Sequence, residues 1–385
     1  MDNEYTEMIN AERLTNLFTR IVAIDSVSGH EHAVSVEIRK IAQALGAVYE
    51  IDDSDRNTGS NTGNLILKVK GNRPGFPLLL SAHMDTVEPG RGIKPRLQNG
   101  IFSSDGSTIL GADDKSAIAI ILEVITVLIE NQLPHCPLEF VLTTCEEAGL
   151  QGAKHLDFSL ISATKGYVLD TSDIGIIVTR APAANRLEFK IIGKDAHAGV
   201  APEEGINAIY YASKAIAGLE LGRIDHETTC NIGVITGGIA TNIIPNMVTV
   251  RGEVRSHNNK KLEIETERIL KSFQNAVKSR TGNEDQPELP RLEYTIENDF
   301  PLTNIPEDHS VITIAQQAAK NLGRSLKLKS TGGGSDANIF FENGIMAGVI
   351  GTGMTDMHTV RESIKLEDMV QTANLLLEII RLHSE

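Results

Sequence analysis

The sequence lacks several features that mark particular classes of protein. Its 36 Lys and Arg residues are outnumbered by 51 Asp and Glu, giving a formal net charge of -15 at pH 7. This charge argues against a nucleic-acid binder, because phosphate contacts require clustered basic side chains. The three cysteines, Cys136, Cys145 and Cys230, form no CxxC pair, so we predict neither a disulfide framework nor a thiolate zinc site. A reducing compartment fits this cysteine usage.

The chain also lacks a long hydrophobic run and a targeting segment. Its most apolar stretch, SAIAIILEVITVLIE at 116–130, is interrupted by Glu123 and is shorter than the roughly 20 residues that a membrane span requires. The acidic N-terminus, MDNEYTEMINAERL, has no basic region followed by an apolar one. We therefore predict no secretory signal, no membrane partner and a cytoplasmic location.

Length and composition predict a globular protein of two domains. At 385 residues the chain exceeds the size at which single cores usually divide, and its 41% hydrophobic fraction is ordinary. Up to residue 181, helical patterns alternate with short apolar runs, which predicts an α/β domain with helices on both faces of a mostly parallel sheet. In that architecture ligands bind outside the carboxyl ends of the strands.

The pattern changes between residues 182 and 294. Strands with one polar face, such as RLEFKIIGK and NMVTVRGEVRS, are mixed with two helices. This combination is typical of a small α+β domain with helices on one side of an antiparallel sheet. We predict one discontinuous domain, 1–181 with 295–385, interrupted by an inserted domain at 182–294. The most linker-like piece is GNEDQPELP at 282–290.

Acidic residues and histidines recur where predicted strands end or predicted helices begin. The five stretches are SAHMDTV (81–87), GADDKSA (111–117), TTCEEAGL (143–150), YVLDTSD (167–173) and MTDMHTV (354–360). Read alone, GADDKSA is better explained as a helix N-cap and CEEAG as a solvated pair of carboxylates. Neither explanation accounts for five such sites at one edge of a sheet. Together they predict a metal site.

The residue types narrow the choice of metal and suggest roles. Imidazole and carboxylate ligands suit zinc, manganese or cobalt, and an aspartate can bridge two such ions about 3.5–4 Å apart. Asp85 follows His83 by two positions, so on an extended backbone its carboxylate can orient the imidazole. Glu146 and Glu147 face opposite directions, so one can bind metal while the other exchanges protons with bound water.

These motifs resemble, in order and along essentially the whole chain, those of the dinuclear zinc exopeptidases of the M20 family. The matching pieces are AHMDTV, GADDK, CEEAG, LD at 169–170, DAHAG and the late HT. The GADDK, CEEAG and TGGGSDAN forms are most similar to the peptidase T-like branch. The resemblance implies a zinc exopeptidase fold with an inserted lid and dimerisation domain. It also implies release of the N-terminal residue from tripeptides, with deacylase or carboxypeptidase action on N-acyl amino acids or other amides as the alternative.

The resemblance further implies roles for individual residues. It supplies two ligand sets that share a bridging aspartate: His83, Asp113 and Asp170 for one metal, and Asp113, Glu147 and His358 for the other. Glu146 would be the general base and acid, and Asp85 would orient His83. The peptide bond between Asp113 and Asp114 is expected to be cis.

Candidate residues of the inserted domain have ordinary explanations as well. His197, read alone, is a surface histidine. The resemblance makes it the lid histidine that reaches the partner subunit's site and helps stabilise the oxyanion, so a homodimer is expected. Arg255 is either an exposed cross-strand charge or the fork that binds a peptide α-carboxylate. Asn242 is either a turn residue or a contact to the substrate backbone.

Two stretches resemble motifs that they do not match. TGGGSDAN at 331–338 lacks the GK[ST] ending of a phosphate loop. Its glycines are better suited to close approach of substrate, which makes Gly333, Gly334 and Asp336 candidates. HEH at 30–32 is not HExxH, because position 34 is Val34, and we read its histidines as solvated.

Two other classes of protein are weighed against the enzyme. A non-catalytic scaffold that kept the fold would show an incomplete ligand set, and every expected ligand and the base are present. A nucleotide-binding α/β protein would need a glycine-rich loop directly after its first strand, and none appears there.

Overall fold

The computed structural model describes residues 8–280 and 288–385, so positions 282–287 of the predicted linker lie outside the described residues. The chain divides into two compact units. The first comprises Met1–Arg180, Thr303–Thr331 and Ser335–Glu385, and the second comprises Ala181–Leu302 and Gly332–Gly334.

The helices begin and end at the following residues. They are α1 (Ala11–Val22), α2 (His32–Ala44), α3 (Asp55–Thr58), α4 (Ala112–Glu130), α5 (Gln151–Lys154), α6 (Ala208–Ala217), α7 (Asn259–Lys278), α8 (Ser310–Asn321), α9 (Asp336–Glu342) and α10 (Leu366–His383). In the described part of the chain, none of them is both long and apolar enough to cross a membrane.

The strands form one sheet in the second unit and two in the first. They are β1 (Val48–Ile51), β2 (Leu65–Val69), β3 (Leu78–His83), β4 (Arg96–Gln98), β5 (Ile101–Ser103), β6 (Leu138–Thr143), β7 (Lys165–Thr171), β8 (Ile176–Ala181), β9 (Ala183–Ile192), β10 (Gly222–Arg223), β11 (Thr228–Gly237), β12 (Met247–Ser256), β13 (Arg291–Phe300), β14 (Thr303–Asn304), β15 (Lys327–Ser330), β16 (Met346–Gly351), β17 (Met354–Thr355) and β18 (Ser363–Lys365).

The large sheet of the first unit has the strand order β1-β2-β6-β3-β7-β16-β8-β14, with β15 beside β8. Its centre is parallel, since β6, β3, β7 and β16 run in the same direction. The pairs β1–β2, β2–β6 and β16–β8 are antiparallel. Every residue of β3 and β6 is buried, as expected for strands covered on both faces. The predicted α/β fold with a mostly parallel central sheet is confirmed.

Apolar side chains of neighbouring residues on β2 enter different cores. Leu65 and Leu67 join the core formed with α1, α2, α4, α8 and α10. Ile66 joins a second core that contains Phe340 of α9. This alternation is the period of two expected of a strand. Because the central strands are parallel, their carboxyl ends lie along one edge, where the structure places His83, Thr143 and Asp170.

A small sheet in the first unit was not predicted. Its strand order is β17-β18-β5-β4, and Ser363 and Ile364 pair with Ser103 and Phe102. Its strands have two or three residues each and mix polar with apolar residues, so they carry no clear periodicity. The sheet ties the segment after His358 to the segment that precedes α4.

The second unit is an antiparallel sheet of strand order β10-β11-β12-β9-β13, with α6 and α7 packed on it. Leu187, Phe189 and Ile191 of β9 are buried with Phe273 of α7, whose ring stacks on Phe189 at 4.1 Å between centroids. The unit ends at Leu302 rather than at the predicted residue 294. The reason is that β13 pairs with β9 as far as Phe300, so a boundary at 294 would cut through a strand.

Candidate metal centre

Most of the predicted ligands lie at the carboxyl edge of the large sheet. His83 is the last residue of β3, and Asp170 lies near the end of β7. Glu147 follows the end of β6, and Asp113 lies in the first turn of α4. His358 is brought to them by the turn after β17, where it has a positive φ of 62°. The tertiary fold therefore brings residues from four distant segments close to the carboxyl end of β3.

Asp113 lies between the two imidazoles. Its Oδ1 is 3.0 Å from Nε2 of His83, and its Oδ2 is 3.2 Å from Nε2 of His358. Nε2 of His358 is also 2.8 Å from Oε1 of Glu147. Ligand atoms of His83, Asp113 and Glu147 all lie within 4.8 Å of one another, close enough to hold a metal ion. Nitrogen and oxygen donors without sulfur suit a divalent ion such as zinc, cobalt or manganese.

The hydrogen bonds around Asp113 change the pKa of all three groups. Burial lowers the pKa of His83, but the bonds with Asp113 and Asp85 together raise it by more. The pKa of His83 therefore lies well above its usual value. Bonds with Asp113 and then Glu147 raise the pKa of His358 to about 10. For Asp113, burial raises the pKa, but the bonds with the two imidazoles bring it well below its usual range. The acidic groups around each imidazole therefore favour its protonated form.

The pKa values of two further carboxyl groups, those of Glu146 and Asp170, are raised, unlike that of Asp113. Burial raises the pKa of Glu146 well above its usual value, and the charges of Asp170, Asp336 and Glu147 raise it further against a lowering effect of His83. Burial likewise raises the pKa of Asp170, and the neighbouring charge of Asp113 adds to this. Such a concentration of acidic groups favours a bound cation, and a carboxyl of raised pKa is suited to exchanging protons near neutral pH.

Asp85 contacts both His83 and the segment after β6. Nδ1 of His83 donates to the main-chain carbonyl of Asp85 at 3.0 Å and lies 3.5 Å from its carboxylate. The carboxylate also accepts the main-chain amides of Glu146 at 2.9 Å and Glu147 at 3.1 Å, and the hydroxyl of Ser28 at 2.6 Å. The carbonyl is thus the nearer contact to His83, and the carboxylate holds the two glutamates.

The start of α4 is not a simple helix cap. Its N-cap residue is Gly111, with φ 74° and no side-chain cap bond, and Asp113 and Asp114 have non-helical φ and ψ. The bond Asp113–Asp114 is cis, as expected. The carboxylate of Asp114 accepts the main-chain amide of His83 at 3.2 Å. The two aspartates therefore face the edge of the sheet, and the N-cap explanation does not apply.

Two buried glutamates that support the site were not predicted. Glu362 accepts main-chain amides of the loop that carries Asp113. Glu31 accepts the main-chain amide of Cys145 at 3.0 Å, directly before Glu146, and the hydroxyl of Ser60. Neither has a sequence signal, since a glutamate between motifs is ordinarily solvated. In HEH the flanking histidines are exposed as expected, and the glutamate is the structural residue.

The glycine-rich stretch divides between the units. Asp336 begins α9 in the first unit, where its buried carboxylate accepts the hydroxyl of Thr143 at 2.5 Å. Burial raises its pKa to about 6 although the Thr143 bond lowers it. Gly333 and Gly334 belong to the second unit. A Cβ on Gly334 would lie 2.7 Å from the ring of Phe300, so this glycine is needed for packing against an aromatic side chain.

The second unit brings its own candidate residues together in two places. The main-chain carbonyl of Asn242 accepts the amide of Ala198 at 2.9 Å, so Asn242 lies beside His197. Nδ1 of His197 accepts the amide of Gly199 at 3.1 Å, so in the neutral ring the proton lies on Nε2.

Arg255 lies in a different part of this unit. It donates to Gly332 at 2.9 Å and to Glu253 at 3.0 Å, and its guanidinium lies 5.6 Å from the centroid of the Phe300 ring. Its buried Nε has no partner among the residues that the structure describes.

Metal binding at neutral pH should release protons. A metal-bound imidazole must lose its Nε2 proton, and the acidic groups around His83 and His358 favour keeping that proton until a metal binds. Calorimetric titration of metal-free protein with Zn²⁺ at pH 7, in buffers of different ionisation enthalpy, should show net proton release. His358→Gln should release fewer protons than the unchanged chain. Equal release by both would contradict the placement of His358 at the metal.

Comparison with known proteins agrees with this geometry. Residues 79–382 match the model of peptidase family M20/M25/M40. Aminopeptidase PepT from Bacillus cereus is 40% identical with a TM-score of 0.89, over 98% of this chain and 100% of that chain. A tripeptidase from Staphylococcus aureus is 38% identical with a TM-score of 0.91, over 98% and 99%. The uncharacterized protein YqjE of Bacillus subtilis is 40% identical over 374 residues, 97% of this chain and 99% of that protein. The chain therefore belongs to peptidase family M20/M25/M40 and is a metallopeptidase.

Proposed function

We propose that this metallopeptidase releases the N-terminal residue from tripeptides with the help of two divalent metal ions. The observation that carries the proposal is the contact of each Asp113 oxygen with a different imidazole, the arrangement expected of a bridging carboxylate. The two similar solved structures, an aminopeptidase and a tripeptidase, support a short peptide substrate. Action as a deacylase or carboxypeptidase is the alternative, and no observation on the site favours it.

The proposed ligands fall into two sets that share Asp113. They are His83, Asp113 and Asp170 for one ion, and Asp113, Glu147 and His358 for the other. Zinc is the first candidate, and cobalt or manganese would suit the same donors. When bound, the ions would lower the pKa of water and polarise the scissile carbonyl.

Glu146 is the proposed general base and acid. Its amide is held by the Asp85 carboxylate, and its own carboxyl has a raised pKa because it is buried near other acidic groups. It would take a proton from the attacking water and return that proton to the leaving amine. Asp85 would thus position both His83, through its carbonyl, and Glu146, through its carboxylate.

Substrate binding is proposed for residues of the second unit. Arg255 would bind the α-carboxylate of the peptide, since a guanidinium matches a planar anion. Asn242 would contact the peptide backbone, and His197 would donate its Nε2 proton to the oxyanion. Gly333 and Gly334 would allow close approach of the main chain. Asp336, in the first unit, stays a candidate for substrate binding, with one oxygen of its buried carboxylate bonded to Thr143.

We further propose a homodimer in which His197 acts in the partner's site. The support is the outer edge of β11, which has no strand partner beyond Cys230 in the described ranges and exposes Val234 and Ile235. Ile239, just after the strand, is 88% exposed. An exposed edge with large apolar side chains favours pairing with another chain. The cytoplasmic location also remains a proposal, supported by three free and buried cysteines.

Glu146→Gln should abolish turnover while leaving metal binding intact. The substitution removes the titratable group but preserves size, so we expect kcat to fall by at least about 100-fold, the usual contribution of a general base. Metal content by atomic emission should remain equal to that of the unchanged protein. Glu50→Gln, a change of the same kind on the outer strand β1, where the carboxylate pairs with Lys68 at 2.6 Å, serves as the control for loss of a carboxylate. Activity that survives in Glu146→Gln would show that another group is the base.

A substrate panel should separate the proposed function from its alternative. We expect release of the first residue from Xaa-Gly-Gly tripeptides, and much weaker hydrolysis when the same peptides are N-acetylated or when N-acyl amino acids are offered. Product identity by mass spectrometry shows which bond is cleaved. Preferred hydrolysis of N-acyl amino acids would favour the deacylase, and release of the last residue would favour the carboxypeptidase.

Mixing two inactive variants should restore part of the activity if His197 acts in the partner's site. In a mixed dimer of His197→Ala and Glu146→Gln chains, one site combines an intact Glu146 with an intact partner histidine. The chains would be unfolded, mixed and refolded together, and activity would be compared with each variant treated alone. Restoration supports action between subunits, whereas an inactive mixture that contains mixed dimers contradicts it.

A further inference from the structure

We propose that Glu362 is a positioning residue that fixes the bridging aspartate relative to the last ligand, His358. The inference rests on the proposed function, because it takes Asp113 and His358 to be metal ligands. Glu362 is 1% exposed, and it forms no ion pair among the residues that the structure describes. The hydrogen bonds to its carboxylate therefore come from uncharged groups, and those groups identify the role of Glu362.

The carboxylate accepts three main-chain amides of one loop. Oε2 accepts the amides of Leu110 at 2.8 Å and Gly111 at 2.7 Å, and Oε1 accepts that of Asp113 at 2.9 Å. A buried carboxylate is costly unless such bonds compensate it, and bonds to an ionised acceptor are about twice as strong as neutral ones. Burial raises the pKa of Glu362, while these amides lower it. The glutamate and the loop therefore stabilise each other.

The loop needs an external acceptor because of its conformation. The first amides of a helix have no partner within the helix, and here the first turn of α4 is irregular as well, with Asp113 and Asp114 outside helical φ and ψ. The N-cap residue Gly111 has no side chain that could bond these amides. Glu362, from a distant part of the chain, thus provides the acceptor oxygens that an N-cap side chain usually provides for the first amides of a helix.

Glu362 is at the same time part of the turn that carries His358. Its amide donates to the carbonyl of Thr359 at 3.0 Å, and the hydroxyl of Thr359 donates to the carbonyl of Asp356 at 2.8 Å. Directly after Glu362, β18 pairs with β5. The side chain of Glu362 holds the Asp113 loop while its main chain closes the His358 turn.

The two proposed ion sites differ in their dependence on this contact. His83 and Asp170 lie on β3 and β7, which the large sheet holds in register with each other. His358 lies in an exposed turn, and it reaches Asp113 and Glu147 only if that turn is correctly placed. Asp113 is shared by both ions, so loss of the Glu362 carboxylate should weaken both. The effect should be larger for the ion that also depends on the exposed His358 turn.

Titration of the metal-free chain with Co²⁺ tests this proposal. The visible absorption of Co²⁺ and calorimetry would follow each ion, and thermal unfolding would show that each variant is folded. In Glu362→Gln, the amide nitrogen would face a main-chain N–H, so we expect the weaker ion to bind about 10 to 100-fold less tightly, as for other residues that orient ligands. Glu362→Asp keeps both acceptor oxygens and should recover part of this affinity.

Glu139→Gln is the matched control. Glu139 is also buried and accepts two main-chain amides, those of Ser162 and Ala163, but it lies near the amino end of β6, away from the metal centre. This variant should lose stability and keep both ions. Unchanged affinities in Glu362→Gln, or equal weakening in both Gln variants, would overturn the positioning role.

Failure of the proposed function has a different signature. An unchanged chain that binds a single Co²⁺, or a His358→Ala chain that binds two as tightly as the unchanged chain, would overturn the dinuclear assignment and with it the role of Glu362. Two ions in the unchanged chain, with one lost in His358→Ala but both retained in Glu362→Gln, would overturn the role of Glu362 alone.

Discussion

The contacts of Asp113 with His83 and His358 are the interaction on which the rest of the site depends. One imidazole ends a buried strand, and the other lies in an exposed turn near the C-terminus, yet both contact the same carboxylate. Both contacts bring an imidazole nitrogen within hydrogen-bonding distance of a carboxylate oxygen. The same atoms, without their protons, form the donor set that a pair of divalent ions would need.

Buried carboxylates hold the loops around this contact. Asp85 accepts the amides of Glu146 and Glu147, Glu31 accepts the amide before them, and Glu362 accepts those of the Asp113 loop. In each case a buried carboxyl side chain accepts main-chain donors that regular secondary structure leaves unpaired. The site therefore gains its positioning from side chains that bond to the main chain of its loops. It also gains negative charge, which favours the binding of cations.

Sequence patterns predicted the long and strongly periodic elements. The apolar stretch at 116–130 lies in the regular part of α4, and SAHMDTV and TTCEEAGL lie at the ends of β3 and β6. The strands β8 and β15 and the small sheet of β4, β5, β17 and β18 were missed. β8 and β15 pair with strands far away in the chain, as does β18 with β5. The β4–β5 and β17–β18 pairs are local but only two or three residues long, so the local sequence contains little information about any of them. Among the site residues, Glu362 was missed for the same reason, since its three partners lie about 250 residues earlier.

The sequence by itself determined the chemical kind of the site, because only His, Asp and Glu recur where strands end, and parallel strands must bring such ends to one edge. The tertiary structure alone decided that the two oxygens of Asp113 contact different imidazoles. It likewise placed the main-chain carbonyl of Asp85 nearer to His83 than the Asp85 carboxylate is. It also decided that Asp336 is bonded to Thr143 beneath the edge of the sheet. These details follow from packing between distant segments, where differences below 1 Å are set by main-chain hydrogen bonds that no sequence motif specifies.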